Sequence, residues 1–74
     1  MGPLTRKVCE ELGYPVTEDG KLEMLQFAVH NDCPGICKEC KAVYEYVEPD
    51  ARDNYCEVCG RTKVVSVLIL NSLI

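Results

Sequence analysis

The chain has no stretch suited to cross a bilayer as a helix. Its longest apolar run, Val64 to Ile74, is eleven residues broken by Ser66, Asn71 and Ser72, whereas a spanning helix needs roughly 20 apolar residues. A lipid-anchor signal is also missing: the Met1-Gly2 start would require Ser or Thr at position 6, and Arg6 stands there. No secretory signal pattern is legible, so the six cysteines are expected to sit in a reducing compartment, the cytoplasm, and not in a disulfide scaffold. Basic character is scarce. Eight Lys and Arg face twelve Asp and Glu, for a net charge of −4, which disfavours nucleic acid, because its binders draw affinity from a basic stripe that releases counterions. No Gly-rich phosphate cradle and no nucleophile beside a base can be found, so the chain is not expected to be an enzyme.

What the chain does have is two C-x-x-C pairs. Cys37-Lys38-Glu39-Cys40 and Cys56-Glu57-Val58-Cys59 are separated by fifteen residues, the spacing at which four thiolates close on one metal ion. Two intervening residues let a tight turn aim both sulfurs of a pair at one point, with backbone N–H groups left over to hydrogen-bond them. One Zn²⁺ per chain, held by Cys37, Cys40, Cys56 and Cys59, is the expected cofactor, and it takes the formal charge to about −6. Four sulfurs fill the coordination sphere and leave water no position, which argues against metal-assisted hydrolysis. A chain this short buries a small core and needs a staple, and structural zinc supplies one worth roughly 10–16 kcal/mol. Iron in the same four cysteines would instead make a rubredoxin-like electron carrier. A pairing of Cys33 with Cys37 would leave Cys40 idle, so Cys33 and the nearby His30 are read as non-ligands, and Cys9 as a small buried hydrophobe.

Along the chain, Pro3 can open a helix at no cost in hydrogen bonds. Leu4, Val8 and Leu12, with Cys9 beside them, form one apolar face that ends at Gly13. Thr17 or Asp19 can cap a second helix reaching about His30, with Leu22, Leu25, Ala28 and Val29 on its inner face and Met24 and Phe27 at the flanks. Asn31 to Gly35 read as a plain turn. The rest reads as three antiparallel strands: Ala42 to Val47 outgoing, a turn over Glu48 to Asn54, a return through Tyr55, and a third strand from Lys63 to Leu70. Lys41 occupies the place that Gly60 holds after the second knuckle, where positive φ is expected and Lys adopts it only at a cost. The expectation is one α+β domain over 1–74, a helical hairpin (1–31) joined to a three-stranded antiparallel zinc ribbon (32–74).

The segment Gly35-Ile36-Cys37-x-x-Cys40, the element Val47-Glu48-Pro49-Asp50-Ala51-Arg52, and Tyr55-Cys56-Glu57-x-Cys59-Gly60 with a closing Val64-Val65 together resemble small zinc-ribbon proteins encoded by bacteriophages and prophages. The resemblance covers residues from about 32 to 70. It implies the same four cysteine ligands and a phage or bacterial source, hence a host-cell cytoplasm, and it implies no particular activity. The reading favoured on these grounds is a structural-zinc module that binds another protein. The alternative is a nucleic-acid-binding ribbon, a transcription accessory, whose contacts would come from a basic rim of Lys38, Lys41, Arg61 and Lys63 around the knuckles. The apolar third strand could also pair edge to edge in a homodimer.

Overall fold

A computed structural model of the chain describes residues 1–73, so Ile74, the last residue of the apolar run, lies outside the described residues. Helix α1 spans Pro3–Leu12, with Pro3 in its first turn and Gly13 closing it in the left-handed region at φ 83°. The Tyr14 N–H then donates to the Cys9 carbonyl at 2.9 Å, satisfying an end carbonyl that the helix itself cannot. Helix α2 spans Glu18–His30, and its cap is Thr17, whose hydroxyl accepts from the Gly20 N–H at 3.1 Å. Glu18 and Asp19 in the first turn complement the positive end of the helix dipole.

The inner face of α2 differs from expectation. Gly20, Met24, Leu25 and Ala28 are buried, while Leu22 and Val29 are 54% and 57% exposed. The cause is Gly20: a Cβ there would overlap the Pro15 carbonyl, so the first turn of α2 lies directly on the preceding loop. That approach turns the Gly20–Met24–Ala28 line inward, four residues apart each time. On α1 the expected face holds, with Val8 and Cys9 buried and Leu4 and Leu12 packed at the margin.

The sheet is three-stranded and antiparallel, as expected, but its strands are not all the expected ones. Strand β1 is Gly35–Cys37, β2 is Val43–Tyr44 and β3 is Val64–Ser66, in the order β2-β1-β3. The central strand therefore begins at Gly35, the last residue of the segment read as a turn, and runs into the first cysteine pair. Ile36 pairs with Val43 on one side and Val65 on the other. The outgoing strand stops after Tyr44, Tyr46 is exposed, and the Val47 N–H bonds the Cys33 carbonyl at 2.7 Å. No strand returns through Tyr55; a single bridge from Asn54 to Val64 takes its place.

The third strand ends at Ser66, and Val67–Leu70 is one helical turn, α3. Ser66 makes the switch. Its hydroxyl accepts from the Ile69 N–H at 3.1 Å, capping the turn, and donates to the Pro49 carbonyl at 2.6 Å. The Val67 N–H still bonds the Pro34 carbonyl at 3.0 Å, the next rung of the β1–β3 register, and strand propensity in Val67 to Leu70 is overridden beyond it, where the Ser66 cap opens the helical turn. The outer edge of β3 is already used: Asn54 exchanges both backbone hydrogen bonds with Val64 at 3.0 Å, and the Ser66 N–H reaches the Ala51 carbonyl at 2.9 Å. Val64 through Leu68 are all buried, so both faces of this segment are covered within the chain.

Helices and sheet bury side chains in one cluster, including Val8, Met24, Ala28, Ile36, Val65 and Val67. A second, smaller cluster of Cys37, Val47, Ala51, Cys56 and Val64 lies beneath the cysteine turns. The architecture is α+β. No helix among the described residues is long and apolar enough to cross a membrane.

Candidate metal centre

Each C-x-x-C pair folds into the same local turn. In the first, the Cys37 N–H donates to the Ala42 carbonyl at 2.9 Å and the Lys41 N–H to the Cys37 carbonyl at 2.9 Å. In the second, Cys56 donates to Arg61 and Gly60 to Cys56, both at 2.8 Å. The residue after each second cysteine takes positive φ, 65° at Lys41 and 76° at Gly60. Two copies of one turn are thus placed face to face, tied by the Lys38 N–H on the Lys63 carbonyl at 2.8 Å.

The result is that Cys37, Cys40, Cys56 and Cys59 place their sulfurs within 4.8 Å of one another. Between the turns, the Cys37 sulfur lies 3.7 Å from that of Cys59 and the Cys40 sulfur 3.6 Å from that of Cys56. A tetrahedron with metal–sulfur bonds of about 2.3 Å has edges of about 3.8 Å, so the sulfurs already stand at the spacing of a four-thiolate site. These four cysteines are positioned to hold a metal ion. Cys37 and Cys56 are buried, Cys59 is intermediate and Cys40 faces solvent, so the site has an inner and an outer side.

The surroundings favour charge on the inner side. The Tyr44 hydroxyl donates to the Cys56 sulfur at 3.2 Å. That bond, against the opposing effect of burial and with help from the Cys59 and Val58 N–H groups, brings the Cys56 pKa down to about 6. Burial opposes ionisation of Cys37, but the N–H groups of Cys40 and Glu39 outweigh it and hold its pKa below the ordinary thiol value. Despite the Ala42 N–H, desolvation and the sulfurs of Cys56, Cys37 and Cys59 push Cys40 up to about 12. Without a metal, the four sulfurs share fewer than four negative charges; a divalent cation removes that limit.

The remaining candidates fall elsewhere. Cys33 is buried in the main core with its thiol toward the Pro34 carbonyl at 3.6 Å, Cys9 is buried in the same core, and His30 is exposed. The basic rim is exposed but partly neutralised: Lys38 lies 3.9 Å from Asp53, and Arg61 lies 3.8 Å from Glu39 across the two turns. Lys41 and Lys63, the other two residues of the expected rim, are exposed. Sequence reasoning did not single out Tyr44, because nothing local marks a tyrosine four residues after a cysteine pair as a sulfur partner. No protein-family model, curated protein or solved structure matches the chain.

Proposed function

We propose that the chain is a structural-zinc module of the zinc-ribbon kind, whose metal maintains the fold and whose surface binds another protein. The observation that carries the reading is the convergence of four cysteine sulfurs within 4.8 Å. Thiolate-only sites of this spacing suit zinc as a closed, structural ion, and a closed sphere gives no position for a reacting water. Zinc is proposed over iron as the usual ion of closed four-cysteine structural sites, and colour separates the two: an iron-thiolate preparation would be red and a zinc one colourless. The phage or prophage source belongs to the same proposal.

A protein partner is favoured by the surface. Helix α2 leaves Leu22 and Val29 exposed, and with Leu25, Gln26, His30 and Leu73 they line an open groove of about 230 Å³. Exposed apolar side chains grouped in this way mark contact surfaces more often than isolated ones do. Nucleic acid is disfavoured by the net charge of −4 and by the acidic neighbours of Lys38 and Arg61. Fluorescence anisotropy with single- and double-stranded DNA and RNA at physiological salt tests the choice. Negligible binding is expected. Micromolar binding that weakens steeply with salt and is lost in Lys38→Glu or Arg61→Glu would replace the protein-partner reading with the nucleic-acid one.

A further inference from the structure

We propose that Tyr44 is a positioning residue of the metal site, relaying a backbone N–H of the second cysteine turn onto the Cys56 sulfur and so setting the orientation and donor strength of that one thiolate. The inference rests on the reading of the four cysteines as a metal site and adds a residue to it.

The geometry has three parts. Tyr44 stands on β2, paired with Gly35 of the central strand, and packs against the cluster that includes Cys37, Cys56 and Val64. Its hydroxyl oxygen accepts from the Glu57 N–H at 3.2 Å and donates to the Cys56 sulfur, also at 3.2 Å. A phenol has one proton to donate. Because the Glu57 N–H occupies the acceptor side of the oxygen, the proton is directed at sulfur. The bond therefore crosses from the strand that leaves the first turn to the sulfur that opens the second.

The two turns are otherwise alike, and this is where they differ. The position four residues past Cys59, equivalent to Tyr44, is Lys63, whose carbonyl is taken by the Lys38 N–H. Cys37, the counterpart of Cys56, receives backbone N–H groups, that of Cys40 at 3.5 Å and that of Glu39, and no hydroxyl. One of the two buried sulfurs thus carries an O–H donor and the other does not. Hydrogen bonds to a ligating atom fix its direction and stabilise its lone pairs, and losing such a partner typically reduces metal affinity by about 10–100-fold. Stabilised sulfur lone pairs also require more energy to transfer an electron to a bound metal, so the sulfur-to-metal absorption band reports on the bond.

The test uses the full chain loaded with Co²⁺, comparing the native protein with Tyr44→Phe, and with Tyr46→Phe and Tyr55→Phe as exposed controls. Tyr44→Phe keeps the ring, so packing is retained while the donor is lost. The expected result is a shift of the sulfur-to-cobalt band to longer wavelength and about a 10-fold loss of Co²⁺ affinity in Tyr44→Phe only, with the tetrahedral d–d bands preserved. An unchanged band and affinity in Tyr44→Phe, beside a native protein that binds Co²⁺ as a tetrahedral thiolate, would overturn the role of Tyr44 and leave the metal site standing. Failure of the native chain to bind Co²⁺ would overturn both. A second measurement does not depend on a variant folding: in the native chain loaded with ¹¹³Cd²⁺, the Tyr44 hydroxyl proton is expected to exchange slowly and to show a through-bond coupling to ¹¹³Cd. A rapidly exchanging, uncoupled proton would contradict the proposal.

Discussion

Lys41 and Gly60 hold the same place in two copies of one turn, each just past the second cysteine of its pair, with φ of 65° and 76°. Each donates its N–H to the carbonyl of the first cysteine, at 2.9 and 2.8 Å. The left-handed conformation is easy for glycine and costs another residue about 1–2 kcal/mol, part of which is offset by the entropy that glycine loses on folding. Lys41→Gly is therefore expected to stabilise the metal-loaded protein, and Gly60→Ala to destabilise it, each by about 1 kcal/mol. A Cβ at Gly60 would meet only the Tyr55 hydroxyl at 3.9 Å, so the penalty there is conformational and not a clash. Denaturant melts of the two variants check the opposite signs; equal signs would mean that the turns are not equivalent.

Gly20 sets two effects against each other. Helix propensity alone makes Ala better than Gly by about 1 kcal/mol, but at this position the added Cβ meets the Pro15 backbone carbonyl. Backbone cannot move aside as a flexible side chain can, and overpacking costs about 1–3 kcal/mol. Gly20→Ala is expected to lower stability by up to about 2 kcal/mol net. A thermal melt showing a stabilised variant would indicate that the loop before α2 yields freely.

Much of this arrangement is written locally and is legible in the chain. The paired cysteines, Pro3 and Gly13 at the ends of α1, and the Thr17 cap each act over a few residues, and each is found in its expected place. The strands are less legible because none exceeds three residues, too short for an alternating pattern to register. Gly35–Cys37 becomes the central strand through long-range pairing with Val43 and Val65. Val67 to Leu70, β-branched and leucine-rich, reads as strand until the Ser66 cap is known. The inner face of α2 depends on Gly20 meeting Pro15, a contact that hydrophobic periodicity does not encode.

Ser66 joins the end of β3 to the loop and to α3. It is fully buried, and its hydroxyl serves the Pro49 carbonyl at 2.6 Å and the Ile69 N–H at 3.1 Å. Ser66→Ala removes a cap and the donor to the Pro49 carbonyl, and is expected to cost about 1–2 kcal/mol. Urea denaturation measures it. A change below about 0.5 kcal/mol, the range of ordinary surface substitutions, would show that the loop holds to β3 without this side chain.

The two non-ligand thiols shape stability at alkaline pH. Burial raises the pKa of Cys9 and of Cys33 above the ordinary thiol value. Below about pH 8.5 folded and unfolded chains both keep these protons, and nothing is lost. Above it the unfolded chain releases them while the folded one retains them, so stability falls as pH rises, by up to about 1.4 kcal/mol per pH unit for each thiol. Melts of the metal-loaded protein between about pH 9 and 10, where the ligand thiols of the unfolded chain are already mostly ionised, are expected to show this decline, and Cys9→Ala is expected to lessen the slope by up to one proton. A slope unchanged by Cys9→Ala would place the alkaline titration elsewhere.

The central claim is that four particular sulfurs, and no others in the chain, hold one metal ion. Elemental analysis of the purified protein and its six single Cys→Ser variants tests it most directly. The account predicts one zinc per chain in the native protein, retained in Cys9→Ser and Cys33→Ser and lost or sharply reduced in Cys37→Ser, Cys40→Ser, Cys56→Ser and Cys59→Ser. Metal retained in full by Cys40→Ser and lost from Cys33→Ser would contradict it.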